Sequence, residues 1–337
     1  MLDISTIEKY DLQKMYKVYD KWPEIAKDSY ESNLEPADFH DIDHIVFAGM
    51  GGSGAIGDLF SSVLSKTKIH VNVVKGYILP STVDSNTLVI TVSVSGNTAE
   101  ALAVLDSAYK RKSKIIAFSS GGKMLDYCTK NKINHRKIKS THSARSSFVK
   151  FTYSILNVLN SILPIDKNEV LESIRELDNI KKQISSNNLS NSNPAINLAS
   201  WINNIPLIYY PYGLQSVAIR FKSSLQENTK THAVIEDIIE TSHNGIVAWE
   251  RSSTIQPILL RGYDDHIKTK ERYEIFKEYF LKNKIDFMEI HSVPGNILTK
   301  MITLIYLLDY VSIYKAILLK IDPSPVHSID FIKSKIR

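Results

Sequence analysis

Cysteine is almost absent: among 337 residues only Cys128 carries a thiol. One thiol excludes an internal disulfide and any site built from several thiolates. Its neighbours, Asp126-Tyr127-Cys128-Thr129, show no sign of activating it. A packed, inert cysteine is therefore expected. Long apolar runs are missing too. Met301–Val311 (MITLIYLLDYV) is interrupted by Asp309 and falls short of the roughly 18 residues a membrane span needs. The opening MLDISTIEKY lacks the basic-then-apolar layout of a signal peptide. These absences predict a cytoplasmic protein without a membrane partner. The net charge is only +5, and the short runs Lys110-Arg111-Lys112 and Lys181-Lys182 read as solvated helix faces. Without a basic stripe or arm, no nucleic-acid partner is expected. His232 and His243 lack the spacing of a helical metal site, so neither a metal nor a cofactor is expected.

What is present is ordinary globular material, 43% hydrophobic and 23% charged. The length suits two domains, each large enough to bury its own core. Residues 1–33 contain no glycine and read as a helical lead-in interrupted at Pro23. Short apolar runs follow at 44–48, 70–74, 87–92 and 114–118, separated by helix-length stretches at 55–65, 98–112 and 122–132. Such alternation predicts a parallel sheet covered on both faces, with ligands beyond the carboxyl ends of its strands. After an apolar helix at 148–163 comes the polar loop Ser185–Asn193. A second alternating unit then has strands at 206–210, 255–260 and 287–291 and a closing helix at about 296–320. The fold class is α/β, with two doubly wound halves and no close sequence repeat between them.

Three strand-to-helix turns carry the chemical signal. Met50-Gly51-Gly52-Ser53-Gly54 follows the first strand and opens a helix. Glycines let backbone approach a ligand, and a helix N-terminus offers free N–H groups to an anion. The run from Gly49 fits G-x-G-x-x-G. A dinucleotide fingerprint would also need an acidic residue closing the next strand, where Lys75 stands instead. The second turn, Ser93-Val94-Ser95-Gly96-Asn97-Thr98, brings three hydroxyls and an amide to one helix start, more than a plain cap requires. The third, Ser119-Ser120-Gly121-Gly122-Lys123, repeats the theme. Together they suit a phosphate.

The pairing of FAGMGGSG with SVSGNTAE resembles the sugar isomerase (SIS) domain, and the whole chain resembles the bifunctional phosphoglucose/phosphomannose isomerases. Further matches are Ser143-Ala144-Arg145, Gln226-Glu227-Asn228-Thr229-Lys230, Ser242-His243-Asn244 and the tail segments Asp322–Val326 and Ile329–Lys333. The resemblance implies two SIS domains, over 1–153 and 154–337, each a mainly parallel sheet flanked by helices. It implies that Gly52, Ser53, Ser93, Ser95 and Thr98 hold the phosphate of a sugar. Glu227 would move a proton between C1 and C2, and Arg145 would stabilise the enediolate. His243 would help open the sugar ring, reaching in from the partner subunit of a homodimer, and Lys333 would act near the ring oxygen. An aldose–ketose interconversion needs such a carboxylate and such a cation.

Read without the resemblance, each residue has a plainer role. Glu227 pairs with Lys230 on a helix surface, Arg145 and Lys333 are solvated, and Glu240 is a second candidate base beside His243. Ala144 stands where relatives often have Pro, Val94 where an aromatic is common, and Val326 near a threonine tied to the mannose epimer. These departures leave the preferred epimer open. Two other functions compete with the enzyme. A phosphosugar sensor would carry a DNA-binding segment, and none is visible. An aminotransferase half would accompany an N-terminal nucleophile, whereas Cys128 is internal.

Overall fold

A computed structural model describes residues 2–336. The lead-in consists of α1 (Ile4–Tyr10), α2 (Met15–Tyr19) and α3 (Trp22–Tyr30). Pro23 does not interrupt it but sits in the first turn of α3, where a missing N–H costs nothing. The first half then runs β1 (His44–Ala48), α4 (Gly52–Val63), β2 (His70–Val74), β3 (Leu88–Ser93), α5 (Ala99–Lys110), β4 (Lys114–Ser119), α6 (Gly122–Asn131) and β5 (Asn134–Lys137). Its sheet has the order β2-β1-β3-β4-β5, with every pair parallel. β3 lies at the centre with all its residues buried, as expected of a continuous apolar strand in a doubly covered sheet.

Three connecting helices lead on: α7 (Phe148–Val158), α8 (Lys167–Ile184) and α9 (Pro194–Trp201). Position 153 falls inside α7. α8 starts on a reciprocal capping box between Asp166 and Glu169. The polar loop before α9 ends on Asn193, whose side chain caps Ala195 and Ile196. The second half contains β6 (Ile205–Tyr210), α10 (Gln215–Thr229), β7 (Val234–Asp237), α11 (Ile238–Thr241), β8 (Ile255–Arg261), α12 (Ile267–Lys282), β9 (Met288–His291), α13 (Ile297–Leu318) and α14 (His327–Lys335). Its sheet is also parallel, in the order β7-β6-β8-β9. The edge strands β5 (NHRK) and β7 (VIED) carry no apolar run. An edge strand pairs on one side only, so its side chains can stay polar.

One large apolar cluster passes through both halves. In it, Trp22 of the lead-in stacks on Tyr306 of α13 at 5.3 Å and on Phe148 of α7 at 6.2 Å. α13 is long and apolar enough to cross a membrane by length and composition, yet 94% of its most apolar window is buried within the fold. A helix apolar all round belongs in a core. Cys128 is fully buried, and burial pushes its thiol up to about 11, as the sequence led one to expect.

Candidate active site

The carboxyl ends of β1, β3 and β4 bring the three turns together. α4, α5 and α6 begin there, and none has a side-chain hydrogen bond at its N-cap residue. α8, α9 and α13 are capped by Asp or Asn, while α7 and α10, like the crevice helices, have no side-chain cap. The N–H groups left free at the starts of α4 and α5, with the dipoles of all three crevice helices, make the crevice attractive to an anion. At α6, Lys123 N and Met124 N are already bonded to the second turn. Thr98 stands at the N-cap of α5, but its hydroxyl meets that of Ser93 at 2.9 Å instead of the helix. The Gly96 N–H also donates to Ser93 Oγ, at 3.1 Å. Ser53, from the first turn, accepts from Val94 N at 3.3 Å and so joins the first two turns. Ser95 is exposed and accepts from Asn97 N at 3.2 Å. Lys75 pairs with Asp58 at 2.5 Å beside the first turn. The position that would carry the acidic residue of a dinucleotide site is thus held by a lysine paired with Asp58.

Gly96 shows how closely the second and third turns fit. It has a φ of +73°, and a Cβ there would lie 1.8 Å from the carbonyl oxygen of Gly121. Gly52 plays a comparable part between the halves of the site. A Cβ on Gly52 would lie 3.0 Å from the Ala144 carbonyl oxygen and 3.2 Å from Arg145 Cα. The glycine turn therefore rests directly on the backbone that carries Arg145.

Arg145 is the hub. It is 4% exposed, not the surface arginine its polar surroundings suggested. Nε donates to Asn228 at 2.8 Å, and Nη1 donates to Glu227 Oε2 at 3.1 Å. Nη2 donates to the carbonyls of Pro323 and Ser324 at 2.6 and 2.9 Å. A guanidinium carries five donors, so one Nη1 hydrogen remains without a partner among the described residues. Glu227 retains 24% exposure of its side chain and therefore reaches both Arg145 and solvent. Lys230 does not pair with the Glu227 carboxylate. Its ammonium donates to the Glu227 carbonyl at 2.5 Å and to that of Pro323 at 3.3 Å. Burial lowers its pKa, with the Arg145 charge adding to the effect.

Behind Arg145 lies a buried ion pair that sequence reading missed. Arg220 of α10 donates to Asp309 of α13 through Nη2 at 2.7 Å and Nε at 3.2 Å. Ser224 and Tyr19 also donate to the Asp309 carboxylate, at 2.5 and 3.1 Å. Arg220 Nη2 reaches the Arg145 carbonyl at 2.7 Å. Burial opposes the charge on Arg220, but Asp309 more than offsets it, holding the guanidinium above its ordinary range. Asp309 inside the apolar run of α13, and Arg220 between the apolar residues Ile219 and Phe221 of α10, were the available clue.

His243 and Lys333 are exposed and make no side-chain bond to this cluster among the described residues. Glu240 is exposed and accepts from Asn244 at 2.9 Å. No group of three or more His, Cys, Asp or Glu side chains gathers as a metal site among the described residues. The second sheet differs at the turn after β8. That turn presents Asp264, paired with Lys300, and Asp265, which accepts from Gly262 N at 2.9 Å. Carboxylates there would repel a phosphate.

This arrangement defines a protein of two SIS domains, with a crevice of strand-to-helix turns beside a Glu–Arg pair. The SIS domain model matches residues 38–162, and the model of the bacterial phospho-glucose isomerase C-terminal SIS domain matches 191–336. A bifunctional phosphoglucose/phosphomannose isomerase of Caldicellulosiruptor bescii is 35% identical over 88% of this chain and 90% of its own length. One of Aquifex aeolicus is 29% identical over 97% and 99%. A hypothetical protein of Thermus thermophilus has the same fold, with a TM-score of 0.72 and 13% identity over 98% of this chain and 88% of its own. The chain belongs to the bifunctional phosphoglucose/phosphomannose isomerase family.

Proposed function

We propose that the protein interconverts glucose 6-phosphate and mannose 6-phosphate with fructose 6-phosphate. The observation that carries this reading is the Glu227–Arg145 pair at 3.1 Å, seated on the backbone that touches Gly52 of the phosphate crevice. In this reading Gly52, Ser53, Ser93, Ser95 and Thr98 hold the phosphate and direct C1 and C2 of the sugar toward Glu227. The Glu227 carboxylate removes a proton from one carbon and returns it to the other. The free Nη1 hydrogen of Arg145 meets the oxyanion of the enediolate, in a setting that needs no reorganisation. Glucose and mannose 6-phosphates differ only at C2 and share that enediolate, so one base serves both. A carboxylate and a guanidinium supply this chemistry without a metal or cofactor.

His243 reaches the ring oxygen from the partner subunit of a homodimer, and Lys333 assists ring opening. Their exposure, away from the buried hub, is compatible with groups that complete the site on assembly. The division into 1–153 and 154–337 separates the phosphate turns from Glu227, His243 and Lys333. The protein acts in the cytoplasm. The test is to give purified protein fructose 6-phosphate in the presence of EDTA and measure glucose and mannose 6-phosphates. Formation of both supports the reading, and absence of either product in a folded sample overturns it.

A further inference from the structure

β5 is polar and lies at the sheet edge, and the expected phosphate ligands do not include it. Yet its His135 ring lies 2.8 Å from Ser119 Oγ, through Nε2. Ser119 closes β4 and is fully buried. Its hydroxyl donates to the Gly121 carbonyl at 2.9 Å and accepts from Gly121 N at 3.2 Å. A hydroxyl has a single proton to give. With that proton on the Gly121 carbonyl, His135 donates to Ser119 through Nε2. Burial, followed by the Arg136 and Lys137 charges, lowers the pKa of His135 and favours the neutral ring.

The Gly121 turn fixed in this way is the mould for the phosphate turn. The Gly121 carbonyl occupies the space a Cβ on Gly96 would need. Ser120 N donates to the Val94 carbonyl at 3.1 Å, and Met124 N donates to that of Gly96 at 2.9 Å. Lys123 N donates to Asn97 Oδ1 at 3.1 Å. The segment Val94–Asn97 is therefore held, bond by bond, by the segment that Ser119 organises. We propose that His135 is a positioning residue for phosphate binding: through Ser119 and Gly121 it holds the Ser93–Thr98 turn in its binding shape. This rests on the reading that this turn holds the substrate phosphate.

Two variants separate the donor from the packing. His135→Phe keeps a ring and removes the donor. His135→Gln places an amide N–H near the position of Nε2. The loss of one buried hydrogen bond corresponds to about a fivefold to tenfold change in affinity. KM for fructose 6-phosphate should therefore rise by that factor in His135→Phe, with kcat within about twofold of the native value. The glutamine variant should restore KM. Ser119→Ala should raise KM similarly, and the double variant His135→Phe/Ser119→Ala should add nothing further, because both changes break one chain of bonds. Melting temperatures report folding in each case, and affinity for inorganic phosphate is measured in parallel by calorimetry. An unchanged KM and phosphate affinity in folded His135→Phe would overturn the proposal. So would a loss that falls on kcat alone, or one that glutamine fails to repair. Failure of the underlying reading looks different: the native protein would turn over no fructose 6-phosphate, or Ser95→Ala and Gly96→Ala would leave phosphate affinity untouched.

Discussion

Replacing Asp309 by leucine tests whether the site is built on the buried Arg220–Asp309 pair. Asp309 is fully buried and Arg220 is 3% exposed. The substitution removes the acceptor for two Arg220 donors, for Ser224 and for Tyr19. It leaves the guanidinium with the Arg145 carbonyl and the face of Phe148, 4.8 Å away. Stranding one member of a buried ion pair costs about 3–5 kcal/mol. For a chain of this size that predicts a fall in Tm of about 4–7 °C. Thermal unfolding followed by circular dichroism measures it. The double variant Arg220→Met/Asp309→Leu exchanges the pair for apolar side chains of similar bulk, which is often neutral or stabilising by about 1–4 kcal/mol. It should recover most of the lost Tm. It should not recover activity, because the bond from Arg220 to the Arg145 carbonyl is gone. A single variant that melts within about 2 °C of the native protein would refute the energetic argument. A double variant with native kcat/KM would refute the link from this pair to Arg145.

Three further outcomes follow from the geometry. Gly96→Ala forces a Cβ against the Gly121 carbonyl at a left-handed φ, and strain of about 1–3 kcal/mol should raise KM for fructose 6-phosphate by about tenfold or more in steady-state assays. His142, half-buried beside Asp11, Arg145 and Asp322, has its pKa lowered chiefly by burial. The unfolded chain then binds the proton first, so stability is complete above the ordinary histidine pKa of about 6.5 and is lost as pH falls below it. The decline in Tm from pH 7 to 5 should be shallower in His142→Gln. Mixing inactive Glu227→Gln and His243→Ala chains should restore part of the activity in verified mixed dimers, and continued inactivity there would place each site within one subunit.

Much of the frame was legible in the sequence because parallel strands buried on both faces are written as unbroken apolar runs. β1, β3 and β4 lie within a residue or two of where such runs placed them. β5 and β7 were not legible, because edge strands need no apolar pattern. At the site, local turn chemistry announced Ser93–Thr98 and the glycine turn at Gly52. Arg145 read as a surface residue on its own, because Glu227, Asn228 and the Pro323 and Ser324 carbonyls come from elements far along the chain. Two backbone carbonyls leave no trace in side-chain identity, so the role of the tail as a clamp on Arg145 emerges only in three dimensions. His135 was invisible for a similar reason, since its partner Ser119 lies on the neighbouring strand.

The most direct measurement follows hydrogen at C2. Fructose 6-phosphate is incubated with the protein in heavy water, and deuterium at C2 of the aldose products is read by NMR. The Glu227 side chain is partly open to solvent, so its proton exchanges in a share of turnovers, and transfer through an enediolate predicts deuterium at that carbon in part of both glucose and mannose 6-phosphates. It also predicts an exchange rate about 100- to 10,000-fold lower in Glu227→Gln, with phosphosugar still bound. Full retention of hydrogen at C2 after many turnovers would indicate a direct shift between the carbons, and a glutamine variant that exchanges at the native rate would contradict Glu227 as the base.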